Sequence, residues 1–251
     1  SPAVIARTKK MLSPGTEVFT PYGATEALPV SCVSGGELAS LQPGLPGICV
    51  GRTWKGMETF IIRISDGPID FWSEDLLAGQ GEIGEITVKG PVVSPEYFGG
   101  KESTALAKIR GKNGELYHRM GDTGWKDADG RLWFCGRKSH RVTTASGTLF
   151  TIPCEAVFNA HKDVRCTALV GVGQKGAQTP VLCVELEKGT AERPSLRGEL
   201  LALGAPQERT KNIKTILFHP GFPVDIRHNA KISREKLPAW AEERLAAGVN
   251  L

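Results

Sequence analysis

YHRMGDTGWKDADGRLWFCGRK, residues 117–138, reads as the end of one strand, a breaker and a second strand. GELYHRM (114–120) and RLWFCGR (131–137) run apolar or alternate, and Ala128-Asp129-Gly130 between them is a turn signal. Asp122 stands between Gly121 and Thr123-Gly124 with little bulk around it, so its two oxygens suit the two hydroxyls of a ribose. Arg137 closes the second strand and offers a forked donor to ribose or phosphate oxygens. Phe134, two residues before Gly136, presents a ring that can cover a base. The plain alternative is an Asp-Gly turn beside a surface arginine.

Working towards the N-terminus, GICVGR (47–52), TFIIRIS (59–65) and GEITVKG (84–90) are further short strands. Breakers fall at Asp66-Gly67-Pro68, Gly79-Gln80-Gly81, Gly99-Gly100 and Lys112-Asn113-Gly114, and STALAKIRG (103–111) is a short helix in their midst. This spacing predicts a small β-barrel or curled sheet. EVFTPYGATEALPVS (17–31) opens as a strand at Val18-Phe19-Thr20, and Pro21 is expected to stop it. The tract that follows, Tyr22-Gly23-Ala24-Thr25-Glu26, combines a flat ring, a glycine that permits close backbone approach, a hydroxyl for a phosphate oxygen and a hard oxygen ligand for Mg²⁺. Taken alone it reads more simply as a polar turn with a packed tyrosine. Residues 1–14 read as the end of an amphipathic helix closed by Pro14-Gly15, which suggests that the chain belongs to something longer.

Beyond residue 138 the texture changes. HRVTT and TLFTI form a hairpin around Ser146-Gly147, and a helix follows Pro153. RCTALVGVG, PVLCVELE and IKTILFH are buried strands, SLRGELLALG is a helix with Ser195 as its cap, and SREKLPAWAEERLAAG is a final helix broken early by Pro238. The expected class is α+β: a barrel-like unit over 1–138, then a compact unit of three strands and three helices over 139–251. Charge divides at the same place. Up to Gly136 there are 14 Lys and Arg against 16 Asp and Glu, a balance of −2; from Arg137 onward the count is 17 against 11, a balance of +6. A basic unit joined to a near-neutral one suits anionic ligands, although a solvated basic surface explains it equally well.

Of the 251 residues 23% are charged and 40% apolar, ordinary values for a globular chain, and no apolar run approaches the length of a membrane span. No signal-peptide pattern opens the chain. Cys32, Cys49, Cys135, Cys154, Cys166 and Cys183 are scattered without C-x-x-C spacing and read as reduced thiols of a cytoplasmic protein. Nucleic-acid binding is not expected, because no aromatic-interleaved basic strand, cysteine finger or Arg-rich helix is present. Ser139, in GRKSHRV, has no packing role and can absorb a backbone rotation. Lys231, in NAKISREKL, reads by itself as a solvated charge.

Taken in order, YGATE, GEIGEITVKGP, YHRMGD, FCGR and NAKISREKL resemble the second half of the acyl-adenylate-forming superfamily, over essentially the whole chain. The resemblance implies ATP and Mg²⁺ as ligands. It implies that Tyr22, Gly23 and Ala24 border adenine, that Thr25 touches the α-phosphate, and that Glu26 holds Mg²⁺. Asp122 would then grip the ribose with Arg137 close by. Ser139 would stand at the hinge, where the family usually has Asp or Lys, and Lys231 would be the catalytic lysine of a mobile C-terminal domain, with Thr25 and Glu26 serving the same step. The family's phosphate loop and adenine loop are expected upstream of Ser1, so the 251-residue chain is expected to be a catalytically silent C-terminal part.

Within the superfamily, YGATEALPVS, HRMGDTGW, LWFCGRKSHRV and ALVGVG…PVLCVELE are most similar to the β-lactone synthetases of bacterial long-chain olefin biosynthesis. That implies a β-hydroxy fatty acid as substrate, release of AMP and pyrophosphate, and other olefin-pathway enzymes as partners. Two departures from thioester-forming relatives point the same way: Thr148-Leu149-Phe150 replaces the usual Arg or Gln after Gly147, and Thr143 stands near a lysine position of aryl-CoA ligases. A long-chain fatty acid–CoA ligase, using CoA, is the alternative. A non-catalytic nucleotide-binding or interaction module is the second.

Overall fold

The computed structural model describes residues 2–42, 44–224 and 232–248. The chain divides into two compact units, Ser1–Lys138 and Ser139–Leu251.

In the first unit a helix, α1 (Pro2–Lys9), precedes a hairpin of β1 (Phe19–Ala24) and β2 (Ala27–Ser34). Helix α2 (Gly35–Ser40) is capped by Ser34, whose Oγ accepts from the Glu37 amide at 3.0 Å. Next come β3 (Ile48–Thr53), β4 (Glu58–Ile62), a 3₁₀ turn, β5 (Gly84–Lys89), α3 (Lys101–Ala107), β6 (Lys108–Arg110), β7 (Leu116–Lys126) and β8 (Arg131–Arg137). The strands make one antiparallel sheet in the order β1-β2-β3-β8-β7-β5-β4, with β6 on β7. Among the described residues the path does not close, so the expected barrel is an open sheet with β1 and β4 at its edges.

In this unit local expectations fail in three places, each for a physical reason. Pro21 does not stop β1 but pairs with Cys32 inside it, because an edge strand has one side on which a missing N–H costs nothing. The helix expected over 103–111 ends at Ala107, and Lys108–Arg110 pair with β7 instead. β7 runs on through the glycines to Lys126, with irregular register around them, and Gly121 takes φ +65°. The core lies beneath Tyr22 and Phe134: Ala27, Val30, Met57, Ile61, Ile86, Val88, Met120 and Leu132.

The second unit opens with the hairpin β9 (Val142–Thr144) and β10 (Gly147–Leu149), then α4 (Thr151–Phe158), β11 (Val164–Val172), β12 (Thr179–Leu186), α5 (Pro194–Gly204), β13 (Thr215–Phe218), a 3₁₀ turn (Arg234–Lys236) and α6 (Leu237–Ala246). β11 and β12 pair antiparallel, and β12 and β13 parallel. Leu169, Leu182 and Ile216 pack with Phe158 of α4 and Leu196 and Leu200 of α5. Val170, Val181 and Leu217 pack with Leu237 and Ala241 of α6. Both faces are covered, which is why TALVGV and VLCV are continuously apolar. Ser195 does not cap α5. Arg193 holds that place, Pro194 opens the helix, and Ser195 lies within it. None of the six cysteines is in a disulfide, and Cys49, Cys135, Cys154 and Cys183 are buried. No helix among the described residues is long and apolar enough to cross a membrane.

Candidate active site

Asp122 of β7 and Arg137 of β8 are cross-strand partners, so the sheet register alone sets them side by side. Arg137 Nη1 lies 3.0 Å from Asp122 Oδ1 and donates to the Met120 carbonyl at 3.3 Å. The Tyr22 hydroxyl donates to Asp122 Oδ2 at 2.7 Å across a hundred residues of sequence. β1 and β7 are four places apart in the sheet, about 19 Å if it were flat. The sheet is therefore strongly curled, and the curl brings Tyr22 over Asp122. Phe134 completes the group, its ring centroid 6.0 Å from that of Tyr22 with the planes tilted by 40°. Burial, then the charge of Asp122 and the hydrogen bond to it, raise the Tyr22 hydroxyl well above its ordinary value, which keeps it a donor.

Thr25 and Glu26 form the two-residue tip between β1 and β2, whose Ala24 and Ala27 are register partners. Thr25 is exposed and Glu26 half-buried. Gly23 answers to this turn: a Cβ there would stand 2.5 Å from the Ala27 carbonyl oxygen of its own hairpin. Burial by itself would raise the Glu26 carboxyl. The Tyr97 hydroxyl, the residue's own amide, His118 and Lys108 more than offset that, and the net shift is downward. Tyr97 is raised to about 12 by burial and by Glu26. Lys108 donates to the Ser94 carbonyl at 2.5 Å, and burial lowers its ammonium. His118, buried with Nδ1 lacking a hydrogen-bond partner, is held down to about 4 by burial and then by Lys108.

Glu26 is thus an ionised, half-open carboxylate, a donor that suits Mg²⁺, which takes one or two carboxylates and completes its shell with water and phosphate oxygens. A different group, His161, Asp163 and Glu199, also brings potential ligand atoms together, within 4.8 Å of one another. There Arg193 bonds both carboxylates, at 2.8 Å to Asp163 and 2.8 and 2.9 Å to Glu199.

Of the residues singled out in the sequence, the structure brings Tyr22, Asp122, Phe134 and Arg137 together, with Gly23, Ala24, Thr25 and Glu26 on the same hairpin as Tyr22. Ser139 lies in a 3₁₀ turn, Lys138–His140. Lys231 lies outside the described residues. Tyr97, Lys108 and His118 were missed. His118 was within reach, since strand alternation through YHRM puts it on the side of Met120, which packs beneath Tyr22.

No protein-family model matches the chain. It is 48% identical over 252 aligned residues to the olefin beta-lactone synthetase of Stenotrophomonas maltophilia, covering 97% of this chain and 46% of that protein. The chain belongs to the acyl-adenylate-forming superfamily. It spans about half the length of the curated β-lactone synthetases it matches. Among solved structures, the amide bond synthetase McbA from Marinactinospora thermotolerans superposes with a TM-score of 0.74 at 23% identity, covering 96% of this chain and 44% of McbA. The Bacillus subtilis O-succinylbenzoate coenzyme A synthetase, in complex with AMP, superposes with a TM-score of 0.69 at 22% identity, covering 94% and 43%. The mixed α+β fold of this chain is therefore that of adenylate-forming enzymes.

Proposed function

We propose that the protein carrying this chain is an ATP-dependent ligase that adenylates a β-hydroxy fatty acid and closes it to a β-lactone, releasing AMP and pyrophosphate. The convergence of Tyr22 and Arg137 on the single carboxylate of Asp122, with the Phe134 ring beside Tyr22, carries the nucleotide reading. The 48% identity over nearly the whole chain supports the lactone product over a thioester. In this reading the first unit, 1–138, is the C-terminal portion of the large nucleotide-binding domain, and 139–251 is the mobile domain that turns at Ser139.

Asp122 accepts the ribose hydroxyls, a role its two oxygens suit once Tyr22 and Arg137 share it with the ligand. Phe134 and the Tyr22 ring border the base, beside Gly23 and Ala24. Thr25, exposed at the hairpin tip, donates to an α-phosphate oxygen. Glu26 holds Mg²⁺, which when bound neutralises phosphate charge. Carboxylate attack at phosphorus needs positioning and charge placement above all, and Lys231 supplies a cation to the attacking carboxylate and the phosphoryl group. After adenylation the substrate's own β-hydroxyl attacks the activated carbonyl, AMP leaves, and the four-membered ring closes without CoA.

The test is mass spectrometry of products from the full-length protein, given ATP and Mg²⁺ with a β-hydroxy fatty acid or with a fatty acid plus CoA. Lactone, AMP and pyrophosphate without a CoA requirement are expected. An acyl-CoA product, with no lactone from the hydroxy acid, would overturn the reading in favour of a fatty acid–CoA ligase.

A further inference from the structure

The last residue of the first unit is held by an ionic group that the nucleotide site does not use. Glu85 of β5 is fully buried, and Arg119 of β7 neutralises it through one oxygen: Nε and Nη2 donate to Oε2 at 3.2 and 2.7 Å. Arg119 spends its remaining donors on the carbonyls of Ser65, Gly67 and Leu106 at 2.5, 2.8 and 2.9 Å. The buried charge is thus balanced before any second cation is added. Nonetheless Lys138 brings its ammonium to 2.8 Å from Glu85 Oε1 and donates to the Ser65 carbonyl at 2.9 Å. Ordering a lysine side chain costs conformational entropy; charge balance gives no reason for it, and the gain is a partner for the buried Oε1, which Arg119 leaves unbonded. The contact also has a local effect: it ties the residue immediately before Ser139 to β5 and to the segment after β4.

The neighbouring residue is tied too, but to a different carboxylate. Arg137 pairs with Asp122 in the nucleotide site, while Lys138 pairs with Glu85. Two consecutive cations, the last residue of β8 and the first of the turn after it, therefore hold the backbone by separate groups, and Ser139 follows directly.

We infer that Lys138 is a positioning residue: its ion pair with Glu85 fixes the first-unit end of the connection, so that rotation is taken up from Ser139 onward. This rests on the proposed function, in which 139–251 turns about Ser139 to bring Lys231 to the reaction. A connection free to twist before Ser139 would deliver that lysine over a wider range of positions, and adenylation would suffer more than nucleotide binding.

The experiment compares wild-type full-length protein with Lys138→Met, which keeps the apolar stem and leaves Glu85 with Arg119, and with Lys138→Arg, which keeps the charge. Amide hydrogen exchange over residues 137–141 reads the anchor directly. Exchange in Lys138→Met is expected to rise about tenfold or more, the scale of losing a hydrogen bond to a charged group, and to stay within about twofold in Lys138→Arg. In parallel, pyrophosphate release should fall about five- to tenfold in Lys138→Met, with calorimetric ATP affinity and conversion of presynthesised β-hydroxyacyl adenylate within about twofold, and Lys138→Arg should restore it. Unchanged exchange overturns the proposal, as does an equal fall in both half-reactions accompanied by a lower melting temperature, which would mark Lys138 as merely structural. If wild-type protein releases no pyrophosphate with any carboxylic acid, the proposed function has failed, and the exchange comparison alone decides whether the anchor exists.

Discussion

Two buried carboxylates, one in each unit, are partnered in opposite ways. Asp122 is only 5% exposed, yet the side chain of its cation, Arg137, is 43% exposed, and its other partner is a hydroxyl reached across the curl of the sheet. Glu155 of α4 is enclosed: Arg234 donates to its two oxygens at 2.6 and 3.1 Å, and the Leu169 amide donates to Oε1 at 2.8 Å. Arg234 is itself nearly buried and also bonds the Leu169 carbonyl. The first carboxylate has a cation that is open to solvent. The second is sealed by buried partners, and it braces α4 and β11 against the turn of Arg234–Lys236. Burial alone would rank the two alike; the exposure of their cations, 43% against 13% for the side chains, separates them.

The largest expected effect falls on the sealed pair. Arg234→Ala strands Glu155 as an uncompensated charge, which costs roughly 3–5 kcal/mol, read as earlier urea unfolding of β11–β13 by amide exchange. A loss below about 1 kcal/mol would mean that Glu155 is not sealed.

Lys231→Ala tests whether the second unit contributes chemistry as well as bracing. An ammonium about 4 Å from a phosphoryl oxygen is worth roughly 4 kcal/mol at an effective dielectric near 20, so pyrophosphate release should fall nearly a thousandfold with ATP affinity almost unchanged. Lactone formation from synthetic adenylate should largely survive. Equal losses in both assays would remove the proposed division of labour.

The third effect is a pH dependence in the first unit. His118 is held down to about 4, so the unfolded chain takes up a proton near 6.5 that the folded one refuses until pH approaches 4. Its contribution is therefore complete above about pH 6.5 and is lost as pH falls towards 4, a change on the order of 3 kcal/mol. Urea midpoints of wild type and His118→Leu at pH 7.5 and 4.5 should show a steep fall in the first and a flatter one in the second. Parallel falls would assign the dependence to other groups.

Asp122→Ala should have the smallest effect on the fold and a specific one on the ligand: a loss of roughly 1.5–3 kcal/mol in calorimetric ATP affinity, with little change in unfolding midpoint. Affinity within twofold of wild type would refute the ribose assignment. A large loss of stability would place Asp122 with Glu155 as a brace.

Much of this was legible in the chain. RLWFCGR is β8 to the residue, and the hairpin around Ser146-Gly147 and the three strands of the second unit stand where their apolar runs put them, because burial on one or two faces leaves a period in the sequence. Pro21 and Ser195 misled because their local preferences were outweighed: an edge position tolerated the first, and Pro194 opened the helix ahead of the second. Tyr97 and Lys108 carried no signal at all, since a tyrosine in SPEYFGG and a lysine in ALAKIRG look like surface residues until β6 folds onto β7.

By itself, then, the sequence determined the classes of element, the change of texture and charge at residue 138, and the family, because these follow from local periodicity and from short motifs kept in order. Only the tertiary structure decided that the sheet stays open yet curls until Tyr22 meets Asp122, and that Arg137 and Lys138 diverge to two carboxylates. It also decided that one buried acid is open to exchange while the other is sealed. Those outcomes depend on twist and on contacts between residues fifteen to a hundred positions apart, which no local pattern encodes.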